Sequence, residues 1–303
     1  IFKARLTEGS EDLALRFDLT VPLARVVSQY SNEIDKPFKR YQTGKVWRGE
    51  RPQAGRYREF VQFDADIVGS DRIESDAEIV ILMFETMSAL RISNFVIRLN
   101  SRKILNGLSD LTGFESSESV SVLRIIDKMD KVRWEGVEDE LKELGLQRDQ
   151  IQKIKSFVEL RSDDADNLIS SLEELFKGSP IALEGITDLK NLMKLLRSSS
   201  IPESAWKIDL SVARGLGYYT GLVFETVLLD LPSIGSVFSG GRYDGLVEKF
   251  SGQKIPAVGA SVGVDRLFAA LEKLGLVNQT TNLAKVIVLN FDNDAVDYSL
   301  KQA

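Results

Sequence analysis

Polar and apolar positions alternate most clearly in two neighbouring segments near the start of the chain. Residues 41–48 and 57–67 both follow the period of two that a β-strand imposes, and the turn-prone segment GERPQAGR joins them. The second segment has two opposite faces, with Phe60, Gln62, Asp64 and Asp66 on one and Val61, Phe63, Ala65 and Ile67 on the other. The pattern therefore predicts a hairpin with an apolar face against a core and a polar face suited to a polar ligand.

Besides this hairpin, three helices and one strand are predicted before residue 113. A helix is expected near residues 21–30, and the helical spacing of apolar positions predicts a largely buried helix over residues 74–92. Residues 95–100 are typical of a strand. A helix is expected over residues 101–112, with Ser101 as its N-cap, because a serine oxygen can accept a hydrogen bond from the first turn.

The character of the chain changes twice, and these changes predict its domains. The stretch after residue 113 is rich in Glu, Lys, Asp, Leu and Ser and is nearly all amphipathic helix. Strand character returns over residues 205–230, and a glycine-rich strand runs into a helix over residues 256–271. We predict four segments, a first part of the core (1–113), a helical insertion (114–203), a second part of the core (204–280) and the start of a separate α/β unit (284–303). Both ends look cut, which predicts a fragment of a longer protein.

Composition narrows the possible chemistry. The 303 residues carry a net charge of −6, so a polyanion site must be a local cluster of cations. The chain has no cysteine and no histidine, which excludes thiolate chemistry, His-based nucleophile systems and the common zinc sites. Phosphate chemistry fits these limits, since it depends mostly on positioning and charge stabilisation. No apolar run of 18 residues and no signal peptide are present, so a cytoplasmic protein without membrane contact is expected.

Four arginines fall within the segment VWRGERPQAGRYREF. Arg48 and Glu50 share a face of the first strand, and an arginine fork matches phosphate oxygens bidentately. Arg56 in the loop could grip outer phosphates, and Phe60 could lie against a base. The alternative is a surface hairpin in which neighbouring charges pair with one another, Arg48 with Glu50 and Arg58 with Glu59.

Two glycine-rich motifs follow later in the chain. In ARGLGYYTG, Arg214 stands among glycines that allow close approach of the backbone to a ligand, and Tyr218 and Tyr219 offer flat surfaces and hydroxyls. The alternative is a glycine-rich turn with tyrosines in the core. In GGRYDGL, the alternative to a ligand site is a bulge at the two glycines and a surface pair between Arg242 and Asp244.

Two further motifs combine charge with strand or helix starts. In LRFDLTVPLAR, Asp18 and Thr20 face the same way, and a carboxylate there could bind an amino group. The alternative is an N-cap for the following helix, which suits Thr20 especially well. In VGASVGVDRL, a strand with small residues runs into a helix that carries Arg266 in its first turn. The alternative is an ordinary buried strand–helix junction.

The order of these motifs resembles the histidyl-tRNA synthetase family, within the class II aminoacyl-tRNA synthetases. VWRGERPQAGRYREFVQFDAD resembles motif 2, ARGLGYYTG and GGRYDGL resemble the two histidine-specific motifs, and VGASVGVDRL resembles motif 3. The resemblance implies an α+β fold, a mostly antiparallel sheet with flanking helices. It also implies a helical domain inserted between motifs 2 and 3, and a C-terminal anticodon-binding domain that would begin at Ala284.

The resemblance also implies a role for each matching residue. Arg48 and Arg266 would hold the ATP phosphates, with Arg56 on the outer ones. Glu50 would contact the adenine side and Phe60 would stack on the base. Arg214 would act on the α-phosphate and the substrate carboxylate, which makes Arg48, Arg214 and Arg266 the catalytic set. The histidine pocket would also contain Asp18, Thr20, Gln62, Asp66, Tyr218, Tyr219 and Tyr243.

The implied activity is the activation of histidine by ATP with Mg²⁺ and its transfer to the 3′ end of tRNA(His), in a homodimer. Two departures weaken the match. Gly217 stands where the family usually has Asp, and motif 1, the dimer element, is largely missing. Two rivals share the fold, the histidine-binding regulatory subunit of ATP phosphoribosyltransferase and a tRNA-sensing domain of a larger kinase. Both are expected to lose the catalytic arginines, which this sequence retains.

Overall fold

The computed structural model describes residues 1–5, 12–52, 55–199, 201–213, 215, 218–277, 288–289 and 293–302. Arg214, Gly217 and the strand expected directly after Ala284 lie outside these residues. The described strands are β1 (Lys3–Arg5), β2 (Asp12–Ala14), β3 (Phe38–Trp47), β4 (Glu59–Val68), β5 (Phe95–Ser101), β6 (Trp206–Ile208), β7 (Leu222–Leu228), β8 (Ser236–Arg242) and β9 (Ala257–Gly263).

The described α-helices alternate with these strands at both ends of the chain and dominate its middle. None of them combines the length and the apolar character needed to cross a bilayer. They are α1 (Thr20–Gln29), α2 (Ile73–Ala89), α3 (Arg102–Asn106), α4 (Leu108–Thr112), α5 (Ser119–Ile126), α6 (Met129–Glu143), α7 (Arg148–Val158), α8 (Ala165–Leu175), α9 (Pro180–Ser198), α10 (Glu248–Ser251), α11 (Val264–Lys273) and α12 (Val296–Gln302).

Seven strands form one sheet in the order β3-β4-β9-β8-β7-β5-β6. Neighbouring strands run antiparallel except β5 and β6, which run parallel. The predicted hairpin is confirmed as β3 and β4, which pair from Phe38 with Val68 to Trp47 with Glu59. The mostly antiparallel sheet with flanking helices is the α+β architecture that the motifs led us to expect.

One face of the sheet is apolar and packs against helices. The long helix α2 lies on it and contacts β4, β7, β8 and β9. Its residues Val80, Met83 and Met87 are completely buried, together with Ile97 and Leu99 on β5. Because successive side chains of a strand point to opposite faces, this packing leaves the other face of β4 and β9 available for polar groups.

Residues 119–198 are almost entirely helical and bury their own apolar side chains, as the amphipathic spacing predicts. The rings of Phe157 on α7 and Phe176 meet edge to face, with centroids 5.7 Å apart. Helix α9 packs on α3, α2 and β5. Ser101 caps α3 as predicted, accepting a hydrogen bond from the Lys103 amide at 3.3 Å. The predicted helix 101–112 is divided at Gly107, where a Cβ would lie 2.6 Å from that of Ala182.

The second part of the core confirms one expectation and corrects another. The strand character predicted over residues 205–230 is found in two short strands, β6 and β7, and the described residues 209–213 after β6 are not part of a strand. Asn100 holds that segment by donating to the carbonyls of Leu210 and Val212 at 3.2 and 3.0 Å. The bulge considered at Gly240 and Gly241 is absent from the described pairing of β7 with β8, whose register shifts between Thr226 and Val227 instead.

Candidate active site

The polar face of β4 continues across the neighbouring strands. Gln62, Asp64 and Asp66 stand opposite three small residues of β9, namely Gly263, Ser261 and Gly259. Directly opposed residues lie on the same face of a sheet. Large polar side chains on β4 therefore face a strip of small residues, which leaves an open space above β9 and β8.

A cavity of about 430 Å³ occupies this space. Its floor includes Ser239, Gly240, Ser261 and Gly263 from β8 and β9. The cavity brings together most of the residues predicted from the motifs, and these residues come from four separate motifs of the chain. The predicted residues that line it are Asp18, Thr20, Arg48, Glu50, Arg56, Phe60, Gln62, Tyr218, Tyr219 and Arg266.

Arg48 follows β3 directly and is held between two aromatic rings. Its guanidinium carbon lies 4.6 Å from the centroid of the Phe17 ring and 5.1 Å from that of Phe60. Its Nε donates to the Phe17 carbonyl at 3.2 Å, and Nη2 donates to Gln62 Oε1 at 3.4 Å. Ring faces attract cations, so this arrangement fixes the fork of Arg48 at the cavity wall.

Arg266 lies in the first turn of α11, immediately after β9. Its Nη1 donates to the Ser236 carbonyl at 2.8 Å and its Nε to the Gly55 carbonyl at 3.4 Å. The preceding Asp265 accepts a hydrogen bond from the Val61 amide at 2.6 Å, which ties the start of α11 to β4. A helix N-terminus beside arginines is a favourable environment for anions.

Asp66 lies at the other end of the site and is almost completely buried. The Tyr243 hydroxyl donates to its Oδ1, and Arg40 Nη2 lies 3.0 Å from its Oδ2. Burial raises the pKa of Asp66 to about 6, against the attraction of Arg40 and the hydrogen bond from Tyr243. Asp66 and Tyr243 are thus in contact as the motifs suggested, but they lie behind the residues that line the cavity.

Glycine is required at two positions next to these groups. A Cβ on Gly259 would lie 2.0 Å from Asp66 Oδ1, so the carboxylate packs directly over the backbone of β9. Gly215 has a φ of +68°, and a Cβ there would lie 1.7 Å from Cδ2 of Tyr219. The glycines of two motifs therefore make room for an aspartate and for a tyrosine.

Three tyrosines pack together near Asp66, and two of them, Tyr218 and Tyr219, line the cavity. The ring centroids of Tyr218 and Tyr219 are 4.5 Å apart, and those of Tyr218 and Tyr243 are 6.1 Å apart. Burial raises the pKa of each of the three hydroxyls. They remain protonated at neutral pH and can donate hydrogen bonds.

The helix-cap alternative holds for Asp18 and not for Thr20. Thr20 is the first residue of α1, and the Asp18 carboxylate accepts from the Val21 amide at 2.9 Å. The Thr20 hydroxyl instead donates to Asp64 Oδ2 at 3.4 Å. Asp18 thus supports the helix start that carries Thr20 to the cavity.

The other structural alternatives are also decided by described contacts. Glu59 pairs with Lys45 at 2.7 Å and accepts a hydrogen bond from the Trp47 indole at 2.8 Å, and the described residues show no pair between Glu59 and Arg58. Arg242 does approach Asp244, at 3.3 Å, but the arginine is buried and its main partner is Asp76. Arg242 Nε lies 3.1 Å from each Asp76 oxygen, which anchors β8 to the first turn of α2.

Sequence reasoning missed two charged residues near the site and gave a third no role of its own. Arg40 was not considered, although the register of β3 places it opposite Asp66. Asp64 was recognised only as one of the polar residues on the face of β4. Asp127 follows α5 in the helical segment and lines the cavity. The sequence contained no sign that this helical segment reaches the site, because the approach depends on tertiary packing.

Comparisons with known proteins identify the family of this chain. A family model described as histidyl-tRNA synthetase matches residues 2–267. The chain is 48% identical over 297 residues to a histidine–tRNA ligase of Wolinella succinogenes and 44% identical over 303 residues to one of Clostridium tetani. These matches cover 97% and 99% of the chain and 67% and 68% of the two relatives. The chain thus spans about two thirds of the length of the curated relatives it matches.

Solved structures agree with these sequence matches. The crystal structure of histidyl-tRNA synthetase from Nostoc sp. PCC 7120 is 35% identical, with a TM-score of 0.84 over 99% of this chain and 69% of that one. An ATP phosphoribosyltransferase regulatory subunit/histidyl-tRNA synthetase from Bacillus halodurans C shares the fold at 24% identity, with a TM-score of 0.75 over 98% of this chain and 80% of that one. On the family model and the identities to curated relatives, this chain belongs to the histidyl-tRNA synthetase family.

Proposed function

We propose that this chain is the catalytic part of a histidine–tRNA ligase, which joins histidine to AMP and transfers it to the 3′ end of tRNA(His). The observation that carries the proposal is the division of charge within one cavity. Arg48, Arg56 and Arg266 line the cavity. Asp64 and Asp66 lie beneath it at the other end of the same strand face. A triphosphate suits the cationic end, and a group with an ammonium and an N–H donor suits the acidic end.

The first step would need no protein nucleophile. The carboxylate of histidine attacks the α-phosphorus of ATP in line, and the bond to pyrophosphate breaks. Arg48 and Arg266 would hold phosphate oxygens and stabilise the charge that develops on them. Arg214, outside the described residues, is proposed to act on the α-phosphate and on the substrate carboxylate. In the second step the terminal ribose hydroxyl of the tRNA takes the acyl group and AMP leaves.

The nucleotide would lie along the cationic wall. Arg56 is proposed to contact the outer phosphates, Glu50 the adenine side, and Phe60 the base. Mg²⁺ would enter as part of the substrate, bound to the phosphate oxygens and water that it prefers. The described residues contain no cluster of three or more acidic, histidine or cysteine side chains able to hold a metal.

Four further features of the proposal come from the family. Residues 114–203 would be an insertion domain, residues 284–303 the start of an anticodon-binding domain, and the active protein a cytoplasmic homodimer. Support for the first is the helical character of residues 119–198 and their packing beside the sheet. The position of Asp127 in the cavity lining supports the further proposal that this domain contributes to the site.

The alternative function is a histidine-binding regulatory subunit without ligase activity. Its support is the fold shared with the Bacillus halodurans protein, and Gly217 in place of the usual Asp. Against it, Arg48 and Arg266 both line the cavity. A site that only bound histidine would have no need of a phosphate end.

Histidine-dependent exchange between ATP and pyrophosphate tests the proposal. The full-length protein should exchange label with histidine and with none of the other nineteen amino acids. Histidine binding without exchange would instead identify the regulatory alternative. Exchange with another amino acid would contradict the proposed substrate.

A further inference from the structure

One acidic residue of the helical segment, residues 119–198, reaches the candidate active-site cavity. Among the described residues that line the cavity, Asp127 alone comes from this segment. The floor belongs to β8 and β9, so a side chain from the helical segment must belong to the wall or the rim. Asp127 is exposed, whereas Gln62 and Gly240 on the strands are buried. Its carboxylate therefore lies on the open side of the cavity.

The backbone of Asp127 is anchored on both sides although its side chain is exposed. Asp127 ends α5, and its amide donates to the Leu123 carbonyl at 3.0 Å. The preceding Ile126 is completely buried, and the following Lys128 pairs with Glu140 on α6. These contacts fix the position of Asp127 and leave its carboxylate as the part that can meet a ligand.

The carboxylate of Asp127 lacks a partner within the part of the chain that the structure describes. Its side chain makes no hydrogen bond and no ion pair there. It also belongs to no described group of three or more acidic, histidine or cysteine side chains that could hold a metal ion. An ionised carboxylate only accepts hydrogen bonds, and it repels phosphate groups. Asp127 therefore suits a neutral donor, such as a hydroxyl of a ribose.

Two substrates of the proposed reaction carry ribose hydroxyls, namely ATP and the 3′ end of the tRNA. Arg48, Phe60 and Arg266, which we propose to hold ATP, lie on strands of the sheet or directly after them. The core thus already provides a wall for the nucleotide. A tRNA is far too large for a cavity of about 430 Å³ and can only extend its end into it from the open side. Asp127 lies on that side, which favours the ribose of the tRNA.

We propose that Asp127 accepts a hydrogen bond from one hydroxyl of the terminal ribose of the tRNA, while the neighbouring hydroxyl takes the acyl group. This inference rests on the proposed function and deepens it, since it assigns a contact of the second step to the helical segment. In that step the neighbouring oxygen bonds to the acyl carbon, and the bond from this carbon to the phosphate oxygen of AMP breaks. AMP leaves with the proton of the hydroxyl, and Asp127 only orients the ribose.

The first test separates the two steps in the full-length protein. Asp127→Ala removes the acceptor at an exposed position, so the fold should be retained. Transfer is measured by mixing protein loaded with histidyl-adenylate with tRNA(His), and ATP–pyrophosphate exchange reports the first step. We expect transfer to slow by about tenfold or more, because a hydrogen bond to a charged group is lost, with exchange and the KM for ATP within about threefold. Transfer at the wild-type rate, equal slowing of exchange, or a raised KM for ATP would overturn the proposal.

A change in the tRNA tests the contact itself. Two forms of tRNA(His) are prepared, each lacking one of the two hydroxyls of the terminal ribose, and the form that still accepts histidine is used. On this tRNA, Asp127→Ala should slow transfer by less than about threefold, because both changes remove the same hydrogen bond. A tenfold or larger slowing on this tRNA as well would show that Asp127 does not hold the missing hydroxyl.

Asp163→Ala is the matched control. Asp163 is an exposed acidic residue of the same helical segment, and it lines a separate cavity. The control removes an equal charge and should change transfer by less than about threefold. Equal slowing by both variants would reveal a general effect of charge on the tRNA and would overturn the proposal. Wild-type protein without histidine-dependent exchange would contradict the proposed function, whereas normal exchange and normal transfer by Asp127→Ala would contradict only this inference.

Discussion

The guanidinium of Arg48 lies against the ring of Phe60, 5.1 Å from its centroid. The two residues come from opposite strands of one hairpin, and both line the cavity. The ring therefore supports the arginine that we propose to bind phosphate, in addition to the contact proposed between the ring and the base.

Replacing Phe60 should weaken ATP binding. Phe60→Ala removes a ring face from Arg48 and from the nucleotide, and stacking of this kind is worth about 1–2 kcal/mol. We expect the KM for ATP to rise about fivefold to thirtyfold. The KM for histidine should stay within about threefold. Steady-state exchange kinetics measure both, and an equal rise in the two constants would show that the ring is needed only for the fold.

The buried pair between Arg242 and Asp76 should be important for stability. Arg242→Ala leaves the Asp76 carboxylate buried without its main partner, which typically costs about 3–5 kcal/mol. The matched control is Arg72→Ala, which breaks an exposed pair with Glu74 at the start of the same helix. Urea unfolding should show a large drop in midpoint for the first variant and almost none for the second. Similar midpoints would contradict this account of the motif GGRYDGL.

Two glycines of β9 provide a second matched pair. Gly259→Ala places a methyl group 2.0 Å from the Asp66 carboxylate, whereas Gly263→Ala meets nothing closer than Arg266 Cβ at 3.8 Å. Overpacking should destabilise the first variant by about 1–3 kcal/mol. The free energy of unfolding of Gly263→Ala should lie within about 0.5 kcal/mol of the wild-type value. Chemical denaturation measures the free energy of unfolding of both variants. Equal values for the two variants would show that Asp66 does not pack over β9 in solution.

The raised pKa of Asp66 predicts a pH dependence of stability. Its pKa is about 6 in the folded protein against an ordinary value of 3.8, so between pH 4 and 6 the folded state holds a proton that the unfolded chain has released. The free energy of unfolding should therefore fall as pH rises through this window, by up to about 3 kcal/mol from this group. Asp66→Asn should flatten the dependence by that amount. Parallel curves for variant and wild type would show that Asp66 is ionised throughout.

The sequence predicted which side chains share a face of β4, because alternation is a local property of the backbone. It also predicted the buried helix α2 and the serine cap of α3, which likewise depend on neighbouring residues. The pairing of Arg40 with Asp66 could not be predicted in this way, since it depends on the register between β3 and β4. Asp127 illustrates the same limit over a longer distance, since the packing of the helical segment brings it to the cavity.

The roles of the motif residues could likewise be predicted only in part from the sequence. The family resemblance identified Gln62 and Asp66 as one group, yet only the structure shows that Asp66 and Tyr243 stand behind the cavity lining. It also shows that Gly259 is needed because a carboxylate lies over it. Packing of this kind involves atoms that are distant in the chain, and no pattern of residue types records it.

The central claim is that histidine reacts with ATP in this cavity. The most direct test measures two properties of the Arg266→Ala variant, its rate of ATP–pyrophosphate exchange and its affinity for histidine. Loss of a donor to a developing phosphate charge costs about 10²–10³ in rate. The account predicts exchange reduced by at least about a hundredfold, with the dissociation constant for histidine within about threefold of the wild type. Exchange at the wild-type rate would contradict the placement of the phosphates beside Arg266, and with it the assignment of this cavity as the active site.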